Sequence, residues 1–190
     1  MRTLVLFMHV SLDGFVATSE GGMDWIHISD EMFDYAGERT DAADTALYGR
    51  VTYEMMDAYW PTAADKPDAS KHDLQHSRWY NNVQKVVLSR TMKGINKPNT
   101  RIIGANALAE IAELKQAAGR EIVMFGSPGA AQSLMAENLI DDYWLFVNPV
   151  LLGRGIPLFK NLKDRIDLTL VKNHTFKDGV VCLNYKTQRG

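Results

Sequence analysis

The sequence has little that would suit it to an oxidising compartment, a membrane or a polyanion. Its single cysteine, Cys182, cannot close a disulfide within the chain, which favours a cytoplasmic location. Cys182 sits in the apolar stretch Val180-Val181-Cys182-Leu183 and reads as a packed core thiol rather than a nucleophile. The first apolar run, Leu4 to Met8, is too short to span a bilayer and lacks the small-residue cleavage site of a secretion signal. Charge of neither sign dominates: 21 Lys and Arg against 23 Asp and Glu leave a formal net charge of −2. That balance excludes a general attraction to nucleic acid or to an anionic membrane. Internal repeats, low-complexity tracts and long charge runs are also missing. So are the GxGxxG, GxxxxGK[ST] and GxSxG signatures of dinucleotide folds, P-loops and nucleophile elbows.

What is present is an ordinary globular balance. The 190 residues are 46% hydrophobic and 23% charged, enough for one domain, 1–190, with a substantial core. Strand-like and helix-like segments alternate, which predicts an α/β sheet covered by helices. A strand from Thr3 to Val10 opens into a turn-rich loop through Asp13-Gly14 and Gly21-Gly22. A helix follows from Ser29, with Asp30 and Glu31 in its first turn. Thr45 to Tyr48 reads as a strand, Val51 to Ala58 as a helix, and Trp60 to Ser70, with Pro61 and Pro67, as a surface excursion. A polar helix through Trp79 and Tyr80 leads to strands Lys85–Leu88 and Arg101–Ile103. The next helix carries an apolar stripe of Leu108, Ile111, Leu114 and Ala118, read as core. Glu121–Phe125 and Tyr143–Val147 read as strands with a helix bearing Leu134 between them. Ile166 to Gln188 alternates like a β-hairpin turning at Lys177-Asp178-Gly179, so the sheet is mixed rather than purely parallel.

Three loops follow predicted strands. In Gly49-Arg50-Val51-Thr52 the glycine lets backbone amides approach an anion, the helix start supplies unpaired N–H groups, and Arg50 adds a planar fork. A tight strand-to-helix turn with a solvated arginine reads equally well. Leu88-Ser89-Arg90-Thr91 sets hydroxyls around an arginine, a plausible phosphate pocket or an ordinary surface turn. Gly126-Ser127-Pro128-Gly129 could let a pyrophosphate pass close to the backbone, or could simply cap a helix; Ser127 has no partnered base and does not read as a nucleophile. Other candidates are weaker. His72 and His76 stand four residues apart on a helix, a metal-binding spacing without a third ligand, and their polar surroundings predict a solvated face. His9, His27 and His174 are scattered, and no metal is expected. Trp25 and Trp60, near loops, could wall a flat heterocycle, whereas Trp79 and Trp144 read as core or interface.

Taken together these segments resemble the dihydrofolate-reductase-like family, and within it the C-terminal reductase domain of the bifunctional riboflavin-biosynthesis deaminase-reductase. The likeness runs over nearly the whole chain. Ser11-Leu12-Asp13-Gly14 resembles that domain's opening turn, Gly49 to Glu54 its cofactor-phosphate segment, and Val87-Leu88-Ser89-Arg90 its adenosine-phosphate loop. Gly126-Ser127 stands where the family has paired glycines. Leu139-Ile140-Asp141-Asp142 through Pro149 to Gly153 is similar to the C-terminal signature.

The resemblance implies a three-layer fold, with a mixed, mostly parallel sheet, an antiparallel C-terminal hairpin and helices on both faces. It implies NADPH along the carboxyl ends of the strands. Arg50, Ser89 and Arg90 would surround the ribose 2′-phosphate, and Gly49, Val51, Thr52, Leu88, Gly126, Ser127, Pro128 and Gly129 would line the rest of the cofactor. Asp13, Gly14 and Ala17 would lie near the nicotinamide and substrate, and the family pairs as homodimers. Two departures stand out. The riboflavin reductases place a glutamate before the paired glycines, where this chain has Phe125, so a more apolar substrate pocket is expected. Folate reductases use an acid on the first helix, for which Asp30, Glu31 and Asp34 are candidates without a secure match; Asp13 is a further weak candidate for a catalytic acid. The expected activity is NADPH-dependent reduction of a small pterin- or pyrimidine-like heterocycle. The alternative is an NADP(H)- or flavin-binding protein without turnover.

Overall fold

The computed structural model describes residues 1–93 and 96–188, so the last two residues of the expected 1–190 domain lie outside the described residues. Alternation along the first strand, β1 (Leu4–Ser11), decides which layer each of its residues meets. Leu4, Leu6, Met8 and Val10 join one core cluster, while Val5 and Phe7 pack on the opposite face.

A short strand, β2 (Phe15–Ala17), is followed by helix α1 (Asp30–Ala42), which starts as expected: Ser29 caps it by accepting from the Met32 amide at 3.3 Å. Then come β3 (Ala43–Gly49), α2 (Arg50–Tyr59), a 3-10 turn over residues 60–65, and α3 (Lys71–Asn82). Strands β4 (Gln84–Leu88) and β5 (Thr100–Ile103) precede α4 (Ala107–Gln116). The chain continues through β6 (Glu121–Phe125), α5 (Pro128–Ala136), β7 (Asp142–Asn148), β8 (Ile156–Pro157), β9 (Leu168–Thr175) and β10 (Val181–Thr187).

The main sheet has the order β5-β4-β3-β6-β1-β7-β10-β9. The six strands from β5 to β7 are mutually parallel, and β10 runs antiparallel to both β7 and β9, with Gly179 at positive φ in the hairpin turn. Helices α4 and α5 cover one face through Ile111, Leu134 and Met135 in a single core that reaches from Ile103 on β5 across to β7. Helices α1, α2 and α3 cover the other face, whose core is split into two clusters. One gathers Tyr48, Tyr53, Tyr80 and Phe125, the other Met32, Trp144 and Phe146, and among the described residues Phe7 packs against both. Helices on both faces of one mixed sheet make the three layers expected from the sequence.

Three local expectations need correction. Leu108 is exposed and Ala118 lies beyond the end of α4. Ile111 and Leu114 of that stripe do pack into the core, and the inward face is completed by Lys115, a buried lysine whose Nζ pairs with Asp141 at 2.7 Å. Charge patterning hid this, because a lysine stem packs like an aliphatic side chain once its head is paired. The excursion after Trp60 is not all surface: the 3-10 turn buries Ala63 completely and packs on α3. Strands β2 and β8 pair in a separate two-stranded sheet, too short to give a periodic signal.

The topology also fixes where a ligand can sit. From β3 the chain leaves through α2 and α3 toward β4; from its neighbour β6 it leaves through α5 across β1 to β7. The two connections diverge on opposite faces, which opens a crevice at the carboxyl ends of β3 and β6.

Candidate functional site

Helices α2 and α5 both begin at that crevice, and neither first turn is capped by a side chain. Ser127, which holds the cap position of α5, turns its hydroxyl to the other loop instead. Its Oγ accepts from the Gly49 amide at 2.7 Å and donates to Thr52 Oγ1 at 2.8 Å. The two helix starts are thus stitched together with their early amides still free, which is the arrangement that receives an anion. Close approach depends on two glycines. A Cβ on Gly49 would lie 2.7 Å from Ser127 Oγ, and one on Gly126, at φ +58°, would lie 3.0 Å from Thr52. Ser127 itself adopts φ 61°, a left-handed conformation that is costly for a residue with a side chain and is repaid by its two hydrogen bonds.

The cradle opens into a cleft of about 1230 Å³. Gly49, Arg50, Val51, Thr52, Leu88, Ala17 and Gly126 to Gly129 all line it. Arg50 is ion-paired there with Glu54 at 2.9 Å, both side chains about half exposed. Ser89 and Arg90 are not among the lining residues; Ser89 Oγ accepts from the Met92 amide at 2.9 Å and shapes its own loop.

The acids named from the sequence are dispersed. Asp13 and Gly14 lie off the cleft lining. Asp13 accepts from Ser11 Oγ at 2.6 Å and from the Gly153 amide at 2.7 Å, and these bonds hold its carboxyl below the usual range while tying the first loop to the segment after β7. Asp30 occupies the first turn of α1, and Glu31 meets His174 at 3.3 Å. Asp34 lines the cleft but is bonded to Lys71 at 2.6 Å. Phe125, the residue in place of the family's glutamate, does line the cleft, 8% exposed.

Around Phe125 the structure assembles residues that the sequence reading put elsewhere. His72 and His76 both line the cleft, His76 buried and His72 partly so. His76 is 9% exposed, with Trp60 4.1 Å away on one side and Trp79 5.1 Å away on the other, ring centre to ring centre. His72 stacks on Phe33 of α1 at 3.6 Å and 4°. The polar composition of α3 concealed an inward face because the 3-10 turn and α1 both close over it. Trp79 packs against the core as expected and also lines the cleft, as does Trp60; Trp25 does not line it, its Nε1 lying 3.3 Å from the Gly22 carbonyl. His9 on β1, isolated in the sequence from the other histidines, also lines the cleft. The one usable signal was its place on a buried strand near the carboxyl end.

Burial sets the protonation of these rings. Desolvation takes the His9 pKa down to about 4 and, with the neighbouring His72, that of His76 to about 3. Both are therefore neutral near pH 7, each with one donor and one acceptor nitrogen.

Comparison with known proteins gives a consistent result. Residues 2–182 match the model of the RibD C-terminal domain family. The chain is 34% identical over 188 residues to the uncharacterized protein YyaP of Bacillus subtilis (strain 168), covering 97% of this chain and 94% of that one. The crystal structure of a "Putative riboflavin biosynthesis protein" from Shewanella sp. PV-4 aligns with a TM-score of 0.76 at 23% identity over 99% of this chain and all of the other (100%). Dihydrofolate reductase from Enterococcus faecalis, solved with NADP(H), aligns with a TM-score of 0.65 at 12% identity, covering 98% of this chain and 97% of that one.

Proposed function

The chain belongs to the RibD C-terminal domain family, and from that premise we propose that it is a reductase using NADPH to reduce a small, flat heterocycle. The reading is carried by one observation: two uncapped helix starts meet at a glycine cradle that opens directly onto an aromatic chamber. The free amides of α2 and α5 suit the pyrophosphate, and the stitched loops hold them in place without further reorganisation. NADPH, when bound, supplies the hydride.

The residues of the chain bind, orient and exclude water. Arg50 is the group for the ribose 2′-phosphate: its pairing with Glu54 is exposed and worth less than about 1 kcal/mol, so it is readily exchanged for a phosphate. Ser89 and Arg90, which do not line the cleft, would reach the 2′-phosphate only if the loop after β4 moved toward it. On the substrate side, Phe125 and the rings beside it make a dry wall for a planar molecule. An apolar ring cannot accept hydrogen bonds from a pyrimidine, so the phosphoribosylaminopyrimidine of riboflavin synthesis is expected to be a poor substrate. The reading includes a homodimer, with the exposed edge strand β9 as an available surface.

Replacing Arg50 by alanine should weaken NADPH by roughly 1.5–3 kcal/mol and leave NADH nearly unchanged. Calorimetric titration of both cofactors checks this, and equal weakening of the two would sink the role given to Arg50. Oxidation of NADPH followed across a panel of pterins, pyrimidines and flavins tests turnover. Binding without consumption of any of them would reduce the protein to a dinucleotide-binding one.

A further inference from the structure

The carboxyl end of β1 carries a polar side chain to which the reductase reading gives no task. Parallel pairing of β1 with β6 ends at Phe7 and Phe125, because β6 turns away into the cradle at Gly126. Two residues further on, His9 keeps the face of Phe7 and lines the cleft beside the departing loop. Its ring lies on Phe146 of β7, 5.0 Å between centres at 28°, and meets Phe7 edge-on at 6.2 Å. Strand register and two aromatic contacts therefore fix where the imidazole sits.

Asn148, fully buried at the end of β7, decides which ring nitrogen carries the proton. Its own orientation is set from both sides: Oδ1 accepts from the His27 amide at 2.9 Å, and Nδ2 donates to the Phe146 carbonyl at 3.0 Å. Reversing the amide would set oxygen against oxygen and N–H against N–H. Its second hydrogen lies between the Val10 carbonyl and His9 Nδ1, with Nδ2 3.5 Å from each. A proton on Nδ1 would face that NH2 group and be repelled. Burial keeps the ring neutral, so Nδ1 holds its lone pair and Nε2 carries the single proton. That Nε2–H has no partner among the described residues, yet it is not enclosed as the unpaired nitrogens of His76 and Trp79 are. Its open side is the cleft.

Resting on the reductase reading for the source of the acceptor, we propose that His9, held by Asn148 as the Nε2–H tautomer, is a hydrogen-bond donor that selects a carbonyl oxygen on the molecule entering the cleft. A ligand offering an N–H at that point would set two donors face to face and leave both unpaired. Two sources can supply the carbonyl. With the adenosine end at Arg50, after β3, the rest of a dinucleotide runs the other way along the sheet, across β6 toward β1 and His9. The nicotinamide carboxamide is then one source, and a carbonyl on the ring to be reduced is the other.

Long-range proton–nitrogen NMR spectra of protein labelled in its histidines report the tautomer directly. Without ligand, His9 is expected as Nε2–H at pH 7, and an Nδ1–H ring overturns the proposal. Three probes then separate the sources: NADP+, adenosine 2′,5′-bisphosphate, which lacks the nicotinamide, and uracil. A downfield move of the Nε2 proton with NADP+ but not with the bisphosphate assigns the nicotinamide carbonyl; a move with uracil assigns the substrate's. His9→Phe keeps the ring contacts and removes the donor, so it should weaken the probe that moves the proton by about tenfold and leave the bisphosphate unchanged. A proton that moves with neither NADP+ nor uracil overturns the proposal, as does unchanged affinity in His9→Phe or an equal loss for the bisphosphate. If NADP+ fails to bind while uracil moves the proton, the cofactor reading falls and the donor stands.

Discussion

Histidine protonation gives the protein a measurable acid sensitivity. The His9 and His76 pKa values are depressed in the fold to about 4 and about 3, so the unfolded chain binds the extra protons first as pH falls below about 6.5. Stability is therefore fully present above that value and is lost on the way down, by about 1.4 kcal/mol per pH unit for each histidine. Carboxylates with lowered pKa values, such as Asp44 and Asp73, begin to contribute only nearer pH 4, and Asp142, raised by burial, acts in the opposite sense. His72, also lowered by burial, adds to the same slope, so urea unfolding at pH 7, 6 and 5 should show it and His76→Phe should remove about 1.4 kcal/mol per pH unit of it; an unchanged slope in the variant would mean that His76 is not buried as neutral imidazole. None of this was legible at His76 in the sequence. Lys71, His72, Asp73, Gln75 and Arg78 surround it, and a polar helix reads as solvated until its neighbours are known. Phe125 was legible, because its position directly before Gly126-Ser127 set it at a strand end whose environment the resemblance supplied.

Secondary-structure elements were the best-read level, and the reason is local. Ser29, Gly49 and Gly179 announce a cap, a strand end and a hairpin turn through their own chemistry. Stretches whose conformation depends on distant partners were not read: β2 and β8 exist through pairing with each other, and Lys115 is inward because Asp141 waits for it. The same distinction separates two glycines. Gly37 lies inside α1 with open space beside it, so Gly37→Ala should raise stability by about 0.5–1 kcal/mol through backbone entropy and helix propensity. Gly49→Ala drives a methyl against Ser127, 2.7 Å from its Oγ, and must part the two helix starts. It should cost about 1–3 kcal/mol and weaken NADPH by more than tenfold. Paired thermal melts and cofactor titrations test the contrast, and a Gly49→Ala protein with native affinity would show that the cradle is not the cofactor's seat.

At the scale of the molecule, β9 is an edge strand with Leu170 and Val171 about half exposed, the kind of edge that pairing with a second copy would cover. Light scattering at micromolar concentration should report twice 21.3 kDa, and a species of 21.3 kDa alone would contradict the homodimer. Within one copy, the two faces of the sheet are built differently. The α4–α5 face has a continuous core, whereas the α1–α3 face is divided beneath the cleft and bridged by the ring of Phe7. The unbroken side therefore acts as a spine and the divided side as the two leaves of a clamp. A ligand lying across Phe7 would draw the leaves together, so its binding should slow amide exchange on both sides of the division, in α1 and in α3, while the spine helices α4 and α5 keep the pace they had before it arrived.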